Sequence, residues 1–298
     1  MPCALMLLVI ALTPPAARAQ VPVTVSWQPE RPVRGTLFII RVSGGAGRVA
    51  LVAGHAAGEL LHFHETATGD FEAIAAAPLD GGPALDLPLL VIRTGGVVEP
   101  LRRTVALDGG GYAMERLTVA PVFGAPPDSA TQARIERERE RALAVSRAAH
   151  ETPRLWSAVV APRETRVTSG FGSGREFNGR VESRHTGTDF AGGVGAQVRA
   201  AARGVVALVD TFHLAGNVIY LDHGAGLVSA YFHLSRQDVV QGDTVEAGQA
   251  IGRVGATGRV TGPHLHWVVR YGAISVDPLS LLDLVSAADR LRNRPARS

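Results

Sequence analysis

Residues 262–267 read GPHLHW and place His264 and His266 two positions apart. Successive side chains on a β-strand point to opposite faces of the sheet, so these two imidazoles share one face. Leu265 and Trp267 then lie on the other face. The stretch therefore predicts a strand with two histidines on one side and two large apolar side chains on the other.

Two further stretches carry chemically active side chains at matching spacings. The sequence RHTGTD contains His185 and Asp189, which an extended chain places on the same side. The sequence SAYFHL contains Tyr231 and His233, which share a face if this stretch is a strand. Together with the first stretch, these residues supply four histidines and one aspartate.

Imidazole nitrogens and carboxylate oxygens suit Zn²⁺, and a catalytic zinc keeps three protein ligands and one open position. Two histidines and one aspartate supply that number. Two histidines then remain to accept a proton from water and to stabilise negative charge that develops on oxygen. Each fragment alone is weak evidence for a metal site. His62 and His64 form a similar pair, but no spaced aspartate or third histidine accompanies them, and we interpret that pair as structural.

The composition indicates a chain rich in turns and strands. It has 298 residues, of which 46% are apolar and only 19% are charged, with 34 glycines and 18 prolines. This length is enough for two domains. The basic residues are all arginine, and the absence of lysine excludes Schiff-base chemistry, biotinyl or lipoyl carriers and P-loop nucleotide hydrolysis. A net charge of +3 does not indicate a nucleic-acid-binding surface.

The N-terminal sequence has the pattern of an exported protein. The apolar run at 5–12 is too short to span a bilayer, and an Ala-Arg-Ala cleavage pattern ends at Ala19. We therefore expect residues 1–19 to be a signal peptide and the mature protein to be periplasmic or extracellular and associated with the cell envelope. The only cysteine, Cys3, lies in this segment, so the mature chain would have neither a disulfide nor a thiolate ligand.

The sequence predicts a mostly β protein with two domains joined by a helix. Short apolar runs separated by Gly and Pro predict an immunoglobulin-like β-sandwich over 20–122, with Glu115–Val119 as its last strand. Oppositely charged pairs three or four residues apart predict a solvated helical linker over 123–153. Residues 154–285 are predicted to form a compact antiparallel β domain of the barrel-sandwich type, followed by a basic tail at 286–298.

With their glycines, the histidine-bearing stretches resemble the lysostaphin-type zinc metallopeptidases, which are peptidoglycan endopeptidases with a compact β core. The resemblance covers about residues 156–282. It is carried by TSGFG at 168–172, HTGTD at 185–189, GN at 216–217, LDHG at 221–224, YFHLS at 231–235 and GATG with TGPHLHW between 255 and 267.

The resemblance implies a role for each of five residues. The metal ligands would be His185, Asp189 and His266, which would bind one Zn²⁺ per chain, and the catalytic histidines would be His233 and His264. The substrates would be the peptide cross-links of peptidoglycan, cleaved by attack of a metal-bound water. The spacing leaves open which histidine is the base and which supports the oxyanion, and the sequence does not identify the bond that is cut.

Four further residues are candidate substrate contacts on the same basis. Asn217 and Tyr231 belong to stretches that carry the resemblance, and Arg175 and Asn178 precede His185 in a loop that would form the rim of the groove. Asn178 could alternatively cover the metal in a latent form.

Two positions depart from the pattern of this family. Val268 stands where an acidic residue is common, so another group would have to orient a metal ligand. Phe232 stands where a smaller residue is common and would narrow the cleft. His223, in LDHG, is interpreted as a structural turn histidine, and His150 and His213, which have no evident chemical partners, as structural or solvent-exposed.

Other function classes fit the sequence less well. The alternative is a metal-binding but non-hydrolytic regulator of cell-wall amidases, although degenerate family members of that kind normally lack ligands. A lipoyl-like carrier, suggested by the hairpin sequence GDTVEAGQ, would need a lysine. The N-terminal domain and the linker helix are candidate surfaces for a protein partner of the cell envelope, and glycan binding or covering of the cleft are equally open roles for that domain.

Overall fold

Most of the regular structure in this protein is β-strand, which confirms the mostly β fold predicted from the sequence. The computed structural model describes residues 22–44 and 48–284. The predicted signal peptide at 1–19 and the basic tail at 286–298 lie outside these described residues. Within them, no helix has the length and apolar character needed to cross a membrane.

The N-terminal domain contains two four-stranded antiparallel sheets. Its strands are β1 (Thr24–Gln28), β2 (Leu37–Ser43), β3 (Val49–Ala56), β4 (Glu59–Leu60), β5 (His64–Glu65), β6 (Phe71–Ala76), β7 (Ala84–Arg93) and β8 (Val98–Ala106). The sheet orders are β1-β2-β6-β5 and β4-β3-β7-β8. Phe38, Ile40, Leu87 and Val91 are buried in the core formed by strands of both sheets. The finer immunoglobulin-like assignment stays a prediction.

The segment that follows the two sheets differs from the sequence prediction. Strand β9 (Met114–Leu117) does not pair with either N-terminal sheet. It pairs in parallel with β11 (Gly174–Phe177), which also forms an antiparallel hairpin with β12 (Val181–Arg184). The stretch predicted as the last strand of the sandwich is therefore attached to the C-terminal half of the chain.

The linker helix α1 (Ser129–Ala148) begins after Asp128, whose carboxylate accepts a hydrogen bond from the Thr131 amide at 2.7 Å. An aspartate at this position also interacts favourably with the positive end of the helix dipole.

Helix α1 packs against one face of the C-terminal sheet instead of being solvated all round. Ala142 and Ser146 are buried on its inner side. Ala142 and the residue after the helix, Ala149, join an apolar cluster with sheet residues. The sheet residues of this cluster are Leu208, Phe212, Val218, Tyr220, Val228, Ala230 and Val268.

The C-terminal domain is built on a sheet of ten strands among the described residues. Seven strands are hydrogen-bonded side by side in the order β10-β13-β20-β17-β16-β15-β18. The other three extend this row: β21 pairs with β20, β19 pairs with β17, and β14 pairs with β19. The strands are β10 (Val167–Ser169), β13 (Thr188–Ala191), β14 (Gln197–Arg199), β15 (Gly204–Phe212), β16 (Gly216–Gly224), β17 (Leu227–Gln237), β18 (Thr244–Val245), β19 (Ala250–Val254), β20 (His264–Tyr271) and β21 (Ile274–Val276).

The largest apolar cluster connects the two domains. Leu265 and Trp267 of β20 are fully buried in it, as their spacing relative to the histidines predicted. Leu37 and Ala76 of the N-terminal domain belong to the same cluster. The burial of apolar surface between the domains is expected to hold them together.

A polar contact joins the domains at the end of α1. His150 lies 2.8 Å from His62 through its Nδ1 and 2.9 Å from the Glu59 carboxylate through its Nε2. The Tyr271 hydroxyl donates to the backbone carbonyl of Leu60 at 2.7 Å. His62 and His150 are therefore engaged in domain packing.

Candidate metal centre

Strand pairing places the chemically active side chains at one end of the C-terminal sheet. In the antiparallel pair β13–β20, Asp189 lies directly opposite His266. The neighbouring strand β17 pairs with β20 so that Phe232 lies opposite His266. His185 precedes β13 and is held by a backbone hydrogen bond from its amide to the carbonyl of Ser173 at 2.8 Å.

The side chains of His185, Asp189 and His266 converge on one point. The Oδ1 atom of Asp189 lies 3.1 Å from His185 Nε2 and 2.7 Å from His266 Nδ1, and these two ring nitrogens are 3.0 Å apart. All three side chains are buried. One nitrogen from each ring and one carboxylate oxygen thus lie close enough together to be shared by a single cation.

The tautomer of His185 follows from its second ring nitrogen. Nδ1 lies 2.6 Å from the carbonyl oxygen of Gly170, which can only accept a hydrogen bond, so Nδ1 carries the proton and Nε2 directs a lone pair into the site. This carbonyl orients a candidate ligand without a carboxylate. Val268, where the family often has an acid, is buried in the cluster below α1.

Burial and hydrogen bonding set the charge of these groups. Burial opposes ionisation of Asp189, but its contacts with His185 and His266 hold the pKa of this carboxyl well below its usual range. Burial lowers the pKa of His266 to about 4, although Asp189 acts in the opposite direction. Two neutral imidazoles and one carboxylate are a donor set that fits Zn²⁺.

His264 and His233 line the open side of this cluster. His264 Nδ1 donates to the carbonyl of Gly262 at 2.8 Å, and its Nε2 lies 3.6 Å from Asp189 Oδ1. His233 Nδ1 donates to the carbonyl of Thr257 at 2.8 Å, and the two imidazole rings have their centroids 5.0 Å apart. In its neutral form, each ring therefore has its proton on Nδ1 and a lone pair on Nε2.

The backbone conformation at His233 turns this side chain towards the site. The simple alternation of strand faces placed Tyr231 and His233 on one face. However, β17 has register shifts relative to both β16 and β19 near this position, and His233 has a φ of +63°. Tyr231 therefore points into the core while His233 points into the site. Burial, followed by the nearby His266 and His264, holds the pKa of His233 well below its usual value.

Arg175 contacts the site directly. Its Nη2 donates to Asp189 Oδ2 at 2.6 Å and to Ser169 Oγ at 2.9 Å, and its Nε donates to Glu115 Oε2 at 3.0 Å. The sequence had placed Arg175 at the rim of the groove as a substrate contact. With both neighbouring carboxylates bound to it, this guanidinium holds Asp189 in place, and its assignment to substrate contact stays a prediction.

Glu115 and Ser169 were missed by the sequence analysis. Ser169 Oγ donates to Glu115 Oε1 at 2.7 Å and lies 3.2 Å from His185 Nδ1. Glu115 belongs to β9, more than 50 residues before Ser169 in the chain. No local pattern could reveal this contact, because it depends on the pairing of β9 with β11.

Two of the predicted substrate contacts have structural roles. Tyr231 is fully buried, and its hydroxyl accepts hydrogen bonds from the Ala201 amide and from Ser229 Oγ. The Asn217 side chain donates to the carbonyl of Leu234 at 2.9 Å and thereby braces adjoining strands. Tyr231 thus has no exposed surface to offer a substrate, whereas the assignment of the partly buried Asn217 to substrate binding stays a prediction.

Asn178 also has a different partner from those expected. Its side-chain amide donates to the carbonyl of Val119 at 3.1 Å, and its carbonyl oxygen accepts from the Val119 amide at 3.0 Å. Asn178 therefore anchors the chain just after β9, and its assignments to substrate binding and to covering the metal stay predictions.

Two cavities of about 460 and about 170 Å³ open next to the centre. The larger lies beside Asp189 and His264, and the smaller beside His185, Phe232 and His266. Phe232 stacks on His266 with the ring centroids 5.3 Å apart and so forms part of the wall of the smaller cavity. Both cavities share Arg175, Phe177, His233 and Arg259 as lining residues.

Comparison with known proteins agrees with this architecture. Residues 183–278 match the Peptidase family M23 profile. The peptidoglycan DD-endopeptidase ShyC of Vibrio cholerae is 39% identical over 115 residues, which are 38% of this chain and 26% of ShyC. The DD-carboxypeptidase/endopeptidase Mpg of Neisseria meningitidis is 39% identical over 117 residues, which are 39% of this chain and 27% of Mpg. The matches thus span only about a quarter of the length of these relatives.

A solved structure extends the similarity beyond the matched domain. A putative peptidase M23 from Pseudomonas aeruginosa has a TM-score of 0.65 and 27% identity, and the alignment covers 85% of this chain and 95% of that one. The resemblance inferred from the histidine-bearing stretches is confirmed: the C-terminal half of this chain is a peptidase domain of family M23.

Proposed function

We propose that this protein is an exported, zinc-dependent endopeptidase that cleaves the peptide cross-links of peptidoglycan. The observation that carries the proposal is the convergence of His185, Asp189 and His266 beside two further imidazoles. The names of the relatives ShyC and Mpg support a peptidoglycan substrate. The predicted signal peptide supports action in the periplasm or outside the cell.

The donor set assigns the zinc ligands in this proposal. His185 would bind through Nε2, His266 through Nδ1 and Asp189 through Oδ1, because these atoms face one another. A zinc ion bound there supplies a Lewis acid that polarises a peptide carbonyl and lowers the pKa of a water molecule.

His233 and His264 would handle the proton and the developing charge. Each has a protonated Nδ1 fixed by a backbone carbonyl and an Nε2 available on the open side. One of the two would accept a proton from the attacking water through Nε2, and the other, when protonated at Nε2, would donate a hydrogen bond to the oxyanion or a proton to the leaving amine. Arg175 would hold Asp189 in the orientation that this arrangement requires.

Digestion of isolated peptidoglycan sacculi tests the proposed function. The purified mature protein should release peptides with new termini that mass spectrometry identifies. A chelator should abolish the release, and added Zn²⁺ should restore it. The Asp189→Ala variant is the control for contaminating hydrolases. Intact cross-links after incubation with zinc-loaded protein would contradict the proposal, and stimulation of an added amidase in that case would support the regulator alternative.

Cell fractionation tests the location. If residues 1–19 are removed on export, the protein in the envelope fraction should begin at Gln20. A full-length protein recovered only in the cytoplasm would contradict this part of the proposal.

A further inference from the structure

The guanidinium of Arg259 stacks on the ring of Phe177 beside the candidate metal centre. Its Cζ atom lies 4.0 Å from the ring centroid. The backbone amide of Arg259 donates to the carbonyl of Leu214 at 2.8 Å, which fixes the loop that leads into β20. The N–H groups of a guanidinium lie in its own plane. Stacking on an aromatic ring therefore leaves them free to donate to a planar acceptor beside the stack.

The guanidinium of Arg259 has no counter-ion among the residues that the structure describes. Within residues 22–44 and 48–284, its side chain makes neither a hydrogen bond nor an ion pair. The two carboxylates that share the larger cavity, Glu115 and Asp189, are both bound to Arg175. Burial, and then the positive charge of Arg175, lower the pKa of Arg259 to about 10, so the group is still charged at neutral pH. Burying a cation without a hydrogen-bond acceptor costs free energy, and a ligand that supplies such an acceptor would offset this cost.

Arg259 lies where a substrate must pass. It lines both cavities next to the centre and shares this position with His233. A peptide held against His233 and His264 would therefore contact the Arg259–Phe177 stack. Because an arginine fork binds carboxylates in a bidentate manner, the ligand that best matches this side chain is a carboxylate group.

We propose that Arg259 determines the specificity of the cleft by binding a free carboxylate of the substrate peptide near the scissile bond. This inference rests on the proposed peptidase function and narrows its substrate class to anionic peptides. Cross-links without a carboxylate at that place, such as uncharged glycine bridges, would be poor substrates.

Paired synthetic substrates test this role. One is a cross-linked peptide with free carboxylates flanking the scissile bond, and the other is the same peptide with these groups amidated. The wild-type protein should cleave the free acid with kcat/KM about 10- to 100-fold higher. In Arg259→Met, which keeps an apolar side chain against Phe177, this ratio should fall to about one. Arg259→Lys should give an intermediate ratio, because lysine keeps the charge but lacks the fork.

Arg199→Met is the matched control. Arg199 is exposed on β14 and lines neither cavity, so its removal changes the net charge by the same amount outside the cleft. The control should keep the wild-type ratio. Thermal unfolding of each variant excludes misfolding as the cause of a lost preference.

Direct binding separates this inference from the proposed function. Calorimetry with the free-acid product peptide should give a Kd that rises about 10- to 100-fold in Arg259→Met. If the wild-type protein cleaves neither substrate but shows this difference in Kd, the peptidase function fails and the carboxylate site stands. If it cleaves both substrates equally well, or if Arg259→Met keeps the preference, the carboxylate site is overturned and the peptidase function stands.

Discussion

The guanidinium of Arg175 and the carboxylate of Asp189 are joined by a 2.6 Å hydrogen bond from Nη2 to Oδ2. The other carboxylate oxygen, Oδ1, faces His185 and His266. The two oxygens of Asp189 are thus divided between a fixed cation and the cluster that we propose binds zinc. This division fixes the carboxylate plane and leaves one oxygen for the metal.

Replacement of Arg175 should therefore weaken zinc binding. In Arg175→Met, Asp189 loses its orientation, and we expect the Kd for Zn²⁺ to rise about 10- to 100-fold. Competition with a chromophoric chelator measures this Kd without reference to activity. Arg180→Met, an exposed substitution in the turn of the same β11–β12 hairpin, should leave the Kd unchanged. Equal affinities in Arg175→Met and the wild-type protein would show that Asp189 needs no support.

Replacement of Glu115 tests whether β9 contributes to the site. Glu115→Gln removes the charge that holds Arg175 Nε but keeps a group that can accept a hydrogen bond. We expect a smaller loss of zinc affinity than in Arg175→Met, about two- to tenfold, because the bond between Arg175 and Asp189 remains. The same chelator competition measures it. If Glu115→Gln loses more zinc affinity than Arg175→Met, Glu115 does not act on Asp189 through Arg175.

Metal binding and turnover should respond differently to the five central residues. His185→Ala should abolish both zinc binding and activity. His264→Ala and His233→Ala should keep zinc but lower kcat about 10²- to 10⁴-fold, because each removes a group that moves a proton or supports charge. Metal content of the purified variants and their rates on sacculi provide the comparison. A zinc-loaded His264→Ala protein with the wild-type rate would refute the role of that histidine.

Gly187 should tolerate no side chain. A Cβ at this position would lie 2.5 Å from the Trp267 carbonyl oxygen and 2.7 Å from His266 Nε2. Gly187→Ala should displace His266, weaken zinc binding and lower the melting temperature. At Gly193, an added Cβ would have no neighbour within 4 Å, so Gly193→Ala is the matched control. Unchanged zinc affinity in Gly187→Ala would mean that β20 moves without disturbing the centre.

His223 should make the stability of the protein depend on pH. Burial lowers its pKa to about 4, and its ring lies between the Arg203 carbonyl and Ser229 Oγ. The folded state therefore binds fewer protons than the unfolded state below about pH 6.5. The free energy of unfolding should fall as the pH drops from 6.5 towards 4, by about 2 kcal/mol between pH 6.5 and 5 from this group alone.

Urea unfolding of the wild-type protein and of His223→Gln at several pH values measures this effect. The variant should be less stable at pH 7 and should lose less stability than the wild-type protein on acidification. Parallel curves for the two proteins would assign the acid sensitivity to other buried histidines.

Local sequence patterns predict correctly those structural features that depend on near neighbours in the chain. The alternation around His264 and His266 correctly separated the side that faces the site from the side that faces the core. The alternation failed at Tyr231 and His233, because a register shift with a positive φ changes the direction of the side chain within one strand. The alanine-rich strand Phe71–Ala76 was not predicted, since its composition has low β propensity and its burial comes from packing between sheets.

The sequence by itself determined the β-rich character of the chain, the set of histidines and the aspartate, and the absence of lysine-based chemistry, because these follow from composition and short spacings. Only the tertiary structure decided that Glu115 reaches Arg175, that Asn178 anchors Val119, and that Arg259 stacks on Phe177 without a counter-ion among the described residues. These contacts join segments far apart in the chain, and no local interaction selects them. The parallel pairing of β9 with β11 brings Glu115 and Val119 to their partners.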